Sequence, residues 1–173
     1  ANLSSVLLDE ADLSGADLSE ASLLGANLLN ANLAGANLTQ ANLVTADLTG
    51  ANLSGAKLIL ANLTVSNLTG ANLSGADLEG ANLDRVNLSG ATLDKAVLEA
   101  RVAAGESLAG INLTNTDLNG AYLAGANLVG ACLIGVNLTK ANLSETNLHE
   151  ADLEGANLSE ADLSRSRIDK TFL

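Results

Sequence analysis

The sequence predicts an all-β solenoid, a chain wound into coils from short extended segments and corners. Three observations lead there. Leucine recurs at every fifth position: of 35 such centres from Leu3 to Leu173, 33 are Leu, with Ala103 and Ile168 as the exceptions. Ala fills 24 of 35 positions two before the centre, and Asn or Asp fills 24 of 35 positions one before it. All 16 glycines fall two residues after a centre. Self-similarity this regular has to be explained before any local motif. A helix does not explain it, because at about 100° per residue five residues turn the leucine direction by roughly 140°, and no apolar stripe forms. A straight strand also fails, since period-two alternation sends centres five apart to opposite faces. Leu and Ala both stay inside only if the chain bends the same way after every five residues.

Each position of the unit then has a reason. Leu and the Ala two before it face inward. The glycine position is the corner, where unusual backbone angles or close approach are tolerated. Glu, Lys, Arg and Asn also occur there, so a positive φ is not expected at every corner. Asn at the outward position is expected to hydrogen-bond to local backbone or to the Asn one coil away. The charges set the number of units per coil, because residues one full coil apart are neighbours at strand spacing. At a separation of 20, four opposite-charge pairs appear: Lys57 with Asp77, Lys140 with Glu160, Glu145 with Arg165, and Glu150 with Lys170. One like pair, Glu79 with Glu99, stands against them; at 15 there are two opposite and four like pairs. The balance favours four units per coil.

The A(N/D)LXX units, as in "ANLLNANLAGANLTQANLVTADLTGANLSG" from Ala26, resemble the pentapeptide-repeat family along nearly the whole chain. The resemblance implies a right-handed quadrilateral β-helix with four repeats per coil, and a family especially abundant in cyanobacteria, a source this composition suits. Thirty-five units make roughly nine coils, and at about 4.8 Å per coil a single rod over 1–173 of around 40 Å. Burying one leucine contributes roughly 2 kcal/mol, which offsets much of the ordering cost. One stretch breaks the pattern. "EARVAAGES", 99–107, puts Arg101 and Glu106 where Ala is expected and Ala103 where Leu is expected. Leu98 and Leu108 nevertheless keep the phase, so the stretch reads as two degenerate units within one coil or as a join between blocks 1–98 and 108–173. Arg101 and Glu106 are expected to swing outward, away from a Leu-lined interior.

Composition excludes several function classes. The net charge is −12 and the first Lys or Arg of the chain is Lys57, which argues against direct binding to nucleic-acid phosphates. Cys132 is the single cysteine, so an internal disulfide or thiolate metal cluster is impossible. The longest apolar run is too short to span a membrane, and no basic-then-apolar signal segment opens the sequence. Since Ala1 is not Met, a removed targeting segment stays open, with the cytoplasm as the default location. His149, the single histidine, reads as a surface residue, and the acids form no calcium-loop pattern. No enzyme activity is expected, and no catalytic, cofactor-binding or metal-binding residue is assigned; the cofactor expectation is none.

Surfaces remain. The unit class containing Leu3 and Leu23 balances Asp84, Glu145 and Asp162 against Arg85, Arg101 and Arg165. The same class carries Leu24 and Val44, 20 apart, with Val65 and Tyr122, and together these four are the candidate interaction face. Ile59 and Leu60 form another outward pair. Phe172 and Leu173 close the charged last units as a possible end contact, acting as a cap or in an end-to-end dimer. Two functions follow: a protein-interaction scaffold with an unidentified protein partner, or, by the resemblance, an acidic rod that imitates DNA toward DNA gyrase or another DNA-binding protein. The charge lacks one continuous band, and the centres lack the aromatic residues often found in gyrase-directed members, which favours the scaffold. Neither reading involves direct nucleic-acid or membrane binding, and monomer and end-to-end dimer both stay open.

Overall fold

The structure, a computed structural model, describes residues 1–172. It divides into two compact units, Ala1–Asp94 and Lys95–Leu173. In both, the chain winds as a β-helix-type coil whose parallel bridges join positions 20 apart. They run from Asn2↔Ser22 to Asn72↔Thr92 in the first unit and from Asn112↔Cys132 to Asp152↔Phe172 in the second.

One unit shows how the pentapeptide produces this. Leu33 N–H donates to the Asn52 carbonyl at 2.7 Å, and Asn52 N–H donates to the Ala31 carbonyl at 2.9 Å. The corner follows: Ala36 N–H donates to the Leu33 carbonyl at 3.0 Å, closing a four-residue turn whose third residue, Gly35, has φ +65°. A positive φ at that residue alone is the signature of a type II turn. Gly35 N–H then reaches the Ser54 carbonyl at 2.8 Å. Five residues thus satisfy their backbone groups through one corner and two neighbouring coils, as a buried backbone requires.

The interior is Leu and Ala. From Leu23 to Leu63 every centre is fully buried, and so is every Ala two before it from Ala26 to Ala61. Where the Ala position carries a hydroxyl, the hydroxyl bonds backward: Ser66, Thr116 and Thr146 are buried and donate to the carbonyls of Leu63, Leu113 and Leu143, each at 2.7 Å. The outward Asn works as expected. Its Oδ1 accepts from the N–H two residues on, as Asn52 does from Ser54 at 3.2 Å. Its Nδ2 reaches one coil back, as Asn52 to Asn32 at 3.2 Å and Asn72 to Asn52 at 3.3 Å.

Two expectations need correction. Positive φ occurs at every fifth position from Ser5 to Gly90 and again from Gly105 to Lys170, including Thr45, Leu60 and Val65. The turn geometry is imposed by the ladder on both sides, so it holds even where the side chain disfavours it. The second correction concerns 99–107. The chain forms no degenerate β units there; an α-helix, α1, covers Lys95–Ala103. Ala, Leu, Glu and Arg in KAVLEARVA are strong helix formers. Its end is a Schellman motif: Gly105, with φ +76°, donates to the Val102 carbonyl at 2.9 Å and Glu106 donates to the Arg101 carbonyl at 2.9 Å. Arg101 does not swing outward. Its side chain is only 11% exposed and pairs with Glu106 at 2.7 Å across the helix end. Burial lowers the guanidinium pKa, and the Glu106 carboxylate works against that shift.

Candidate interaction surface

The corners of the first unit position its exposed apolar side chains. Leu24 and Val44 occupy the same corner in successive coils, tied by Gly25 N–H to the Val44 carbonyl at 2.9 Å. Leu24 is 42% exposed and Val44 is half-buried. One coil further, Thr45 N–H donates to the Thr64 carbonyl at 3.1 Å, and Val65 follows in that corner, 50% exposed. The structure therefore sets Leu24 and Val44 in one column and Val65 in the column beside it, with Gly25 and Thr45. It also places Leu60, 56% exposed, at the corner before the flat segment Ala61–Leu63, so that Leu60 and Val65 flank the same face. Ser22, Asn42 and Asn62 fill that face between the corners. Leu60 packs onto the next coil, where a Cβ on Gly80 would come within 2.7 Å of it. Leu7, exposed in an Asn/Asp position, is an apolar group that the sequence reading missed.

Tyr122, also exposed, belongs to the second unit. Arg101, counted as balancing the charge of this face, sits in α1 instead. Within 108–173 the same unit class keeps Glu145 and Asp162 against Arg165 alone, so the neutral sum holds only in the first unit, where the charge of Asp84 is balanced by that of Arg85.

The titratable groups gather at the last coils of the second unit. Three of the four opposite-charge pairs close there, Arg165 with Glu145 at 3.3 Å, Lys170 with Glu150 at 3.4 Å and Lys140 with Glu160 at 4.0 Å. Lys57 and Asp77 stand opposite each other as bridge partners in the first unit. His149 is less open than its sequence position suggests. Its Nδ1 lies 2.7 Å from the Asp169 carboxylate and 3.1 Å from the Asp169 carbonyl, two acceptors that place a proton on Nδ1. Its Nε2 lies 3.6 Å from Glu150. Asp169 also takes two hydrogen bonds from Arg167, at 2.5 and 3.0 Å, and these hold its carboxyl down at about 2. Phe172 is exposed beside this cluster, and an open hollow is lined by Glu150, Lys170, Thr171 and Phe172. Leu173, the other proposed end contact, lies outside the described residues.

Among the described residues, no group of three or more His, Cys, Asp or Glu side chains is placed to hold a metal ion. Cys132 shares a 3.2 Å contact with the Thr114 hydroxyl. No helix among the described residues is long and apolar enough to cross a membrane.

Comparison with known proteins adds the following. A family model described as pentapeptide repeats matches in eight copies, over residues 1–28, 26–64, 61–99, 107–139 and 141–173. Among solved structures, a pentapeptide repeat protein from Nostoc PCC 7120 is 33% identical, covering 62% of this chain and 84% of its own, with a TM-score of 0.51. HetL, a pentapeptide repeat protein involved in heterocyst differentiation regulation in Nostoc sp. strain PCC 7120, is 35% identical over 98% of this chain and 75% of its own, with a TM-score of 0.39. A pentapeptide repeat protein of the Arabidopsis thaliana thylakoid lumen is 32% identical over 59% of this chain and 74% of its own, at a TM-score of 0.45. No curated protein matches the chain.

Proposed function

Since the chain belongs to the pentapeptide repeat family, we propose that it is a non-catalytic scaffold that binds a protein partner through the outer skin of its coils. The observation that carries this reading is the division of chemistry between inside and outside. Among the described residues the interior is packed Leu and Ala, and the buried hydroxyls of Ser66, Thr116 and Thr146 are bonded to backbone. Recognition then falls to the surface, where Leu24 and Val44, with Val65 in the adjoining column, make an apolar patch on a polar, weakly charged face, and exposed apolar groups on such a face mark partner sites. Tyr122 contributes from the second unit, and Phe172 serves as an end contact. In this reading the β-helix is right-handed and quadrilateral, with four repeats to a coil and roughly nine coils; bridges at a spacing of 20 support the four. The protein acts in the cytoplasm, away from membranes and without touching nucleic acid directly, consistent with its net charge of −12.

Capture of partners from the native host with the wild type and with a Leu24→Asp, Val44→Asp double variant tests the face. The double variant is expected to lose the specific partner while keeping its fold; an unchanged set of partners would discard the face. A second reading, imitation of DNA toward gyrase, draws on the stretch before Lys57, which carries acids and no Lys or Arg. A supercoiling assay decides it: neither inhibition nor protection of purified gyrase at micromolar protein removes that reading.

A further inference from the structure

In an interior coil each corner carbonyl and each outward residue's N–H is paired with the preceding coil. In the second unit, Gly120 N–H serves the Thr139 carbonyl at 2.7 Å, and Asn142 N–H uses the Ala121 carbonyl at 2.9 Å. Shifted back by 20, the same pattern assigns the Asn119 carbonyl to the N–H of residue 100 and the Tyr122 N–H to the carbonyl of residue 101. Both of those backbone groups lie within α1. Ala100 lies beyond the first turn of α1, where a helical N–H is spent on the carbonyl four residues before it, and the Arg101 carbonyl accepts from Glu106 N–H at 2.9 Å. The helix thus consumes the backbone that a further coil would have offered.

Its side chains replace what it consumes. Lys95 Nζ donates to the Asn119 carbonyl at 2.7 Å, and Glu99 Oε1 accepts from Tyr122 N–H at 2.8 Å. Lys95 and Glu99 are four apart, one turn of helix, so they project from one face and reach the two groups together. Ser107 continues the substitution where the coil resumes: its Oγ accepts from Asn127 Nδ2 at 3.0 Å, in the place an outward Asn would occupy one coil earlier.

We propose that α1 is an edge cap for the second unit, in which Lys95 and Glu99 act as a two-atom substitute for a β-strand and keep the Asn119–Tyr122 edge from accepting a strand of another chain. An open edge of a parallel ladder is a template for strand addition, and a charged helix laid on it removes the donor and acceptor an incoming strand needs. The cap uses charged partners, whose hydrogen bonds are the stronger kind, on groups that a neutral ladder would otherwise bond.

Amide exchange read residue by residue by NMR on the intact chain tests this. Glu99→Ala is expected to speed exchange at the Tyr122 amide by about tenfold or more, the loss of one charge-assisted hydrogen bond, with the Asn142 amide one coil further in unchanged. Glu99→Gln keeps an acceptor and is expected to hold Tyr122 near its wild-type rate. Equal Tyr122 rates in wild type and Glu99→Ala would overturn the proposal, as would an equal loss in the Gln and Ala variants. If Glu99→Ala exposes Asn142 as well, Lys95→Met decides: Tyr122 exchanging faster while Asn142 stays protected supports the cap, and Tyr122 unchanged refutes it.

Discussion

Val65 holds φ at +58°, where a β-branched side chain crowds its own backbone. The left-handed region costs an L-residue about 1–2 kcal/mol, and half of the left-handed corners carry that cost because they are not glycine. Val65 stays there because its N–H is bound to the Asp84 carbonyl at 2.9 Å, and Ser66 N–H closes the turn on the Leu63 carbonyl at 2.9 Å. Replacing Val65 with Gly is therefore expected to stabilise the chain by about 1 kcal/mol, the relieved strain exceeding the extra entropy glycine loses on folding. A urea unfolding midpoint that falls in Val65→Gly would show that the Val65 side chain packs well enough to outweigh its backbone. The glycine at one corner in two pointed to this geometry from sequence. That the other corners share it was hidden, because a side chain's own preference is outvoted by hydrogen bonds from the neighbouring coil.

Two elements depart from the bare repeat, and they differ in how openly the sequence announces them. The ion pairs of the last coils were legible, since opposite charges 20 apart become neighbours once the coil closes. Asp169 was not, because its partners are His149 across the coil and Arg167 two residues before it, where the chain enters the corner. Its carboxyl titrates at about 2 in the fold, against an ordinary value of 3.8, chiefly through the Arg167 hydrogen bonds. A carboxyl lowered in the folded state contributes stability that is present above the unfolded value and is lost as pH falls through the folded one. Asp169→Asn is therefore expected to flatten the acid limb of the stability curve between pH 3.8 and about 2, measured by thermal unfolding. An acid limb identical to wild type would place the transition on Asp12, Asp17 and Asp162, whose carboxyls are lowered by their hydrogen bonds to Ser14, Ser19 and Ser164. The helix α1 was the harder element. Leu98, Leu108 and Gly105 all keep the five-residue beat, so the phase masks the change of structure. The readable signal was propensity together with Gly105 just past the last helical turn, which fits a helix C-terminus as well as it fits a corner.

Over the whole molecule the charge is uneven. Residues 1–94 hold ten acids against two bases, and residues 95–173 hold ten against six. With a pI of about 4.2, the chain is expected to be least soluble near that pH, where self-repulsion vanishes, and to clear on either side. Light scattering against pH checks this, and Asp9→Asn with Glu10→Gln is expected to move the minimum upward. A minimum that stays in place would mean that exposed apolar groups such as Leu7 and Leu24, rather than net charge, govern association.

By itself the sequence determined the solenoid, its Leu and Ala interior and the outward Asn, and it favoured the pairing of positions four units apart that the bridges show. A strict period of five admits no other way to bury one residue type, and the charges favour the spacing of the pairing. The tertiary structure decided the rest: the left-handed backbone at corners that are not glycine, the helix at Lys95–Ala103, the burial of Arg101 and the use of Lys95 and Glu99 as strand substitutes. Each of these depends on which backbone groups a neighbouring coil leaves unpaired, and a sequence read along its own length does not contain that information until the coils are laid side by side.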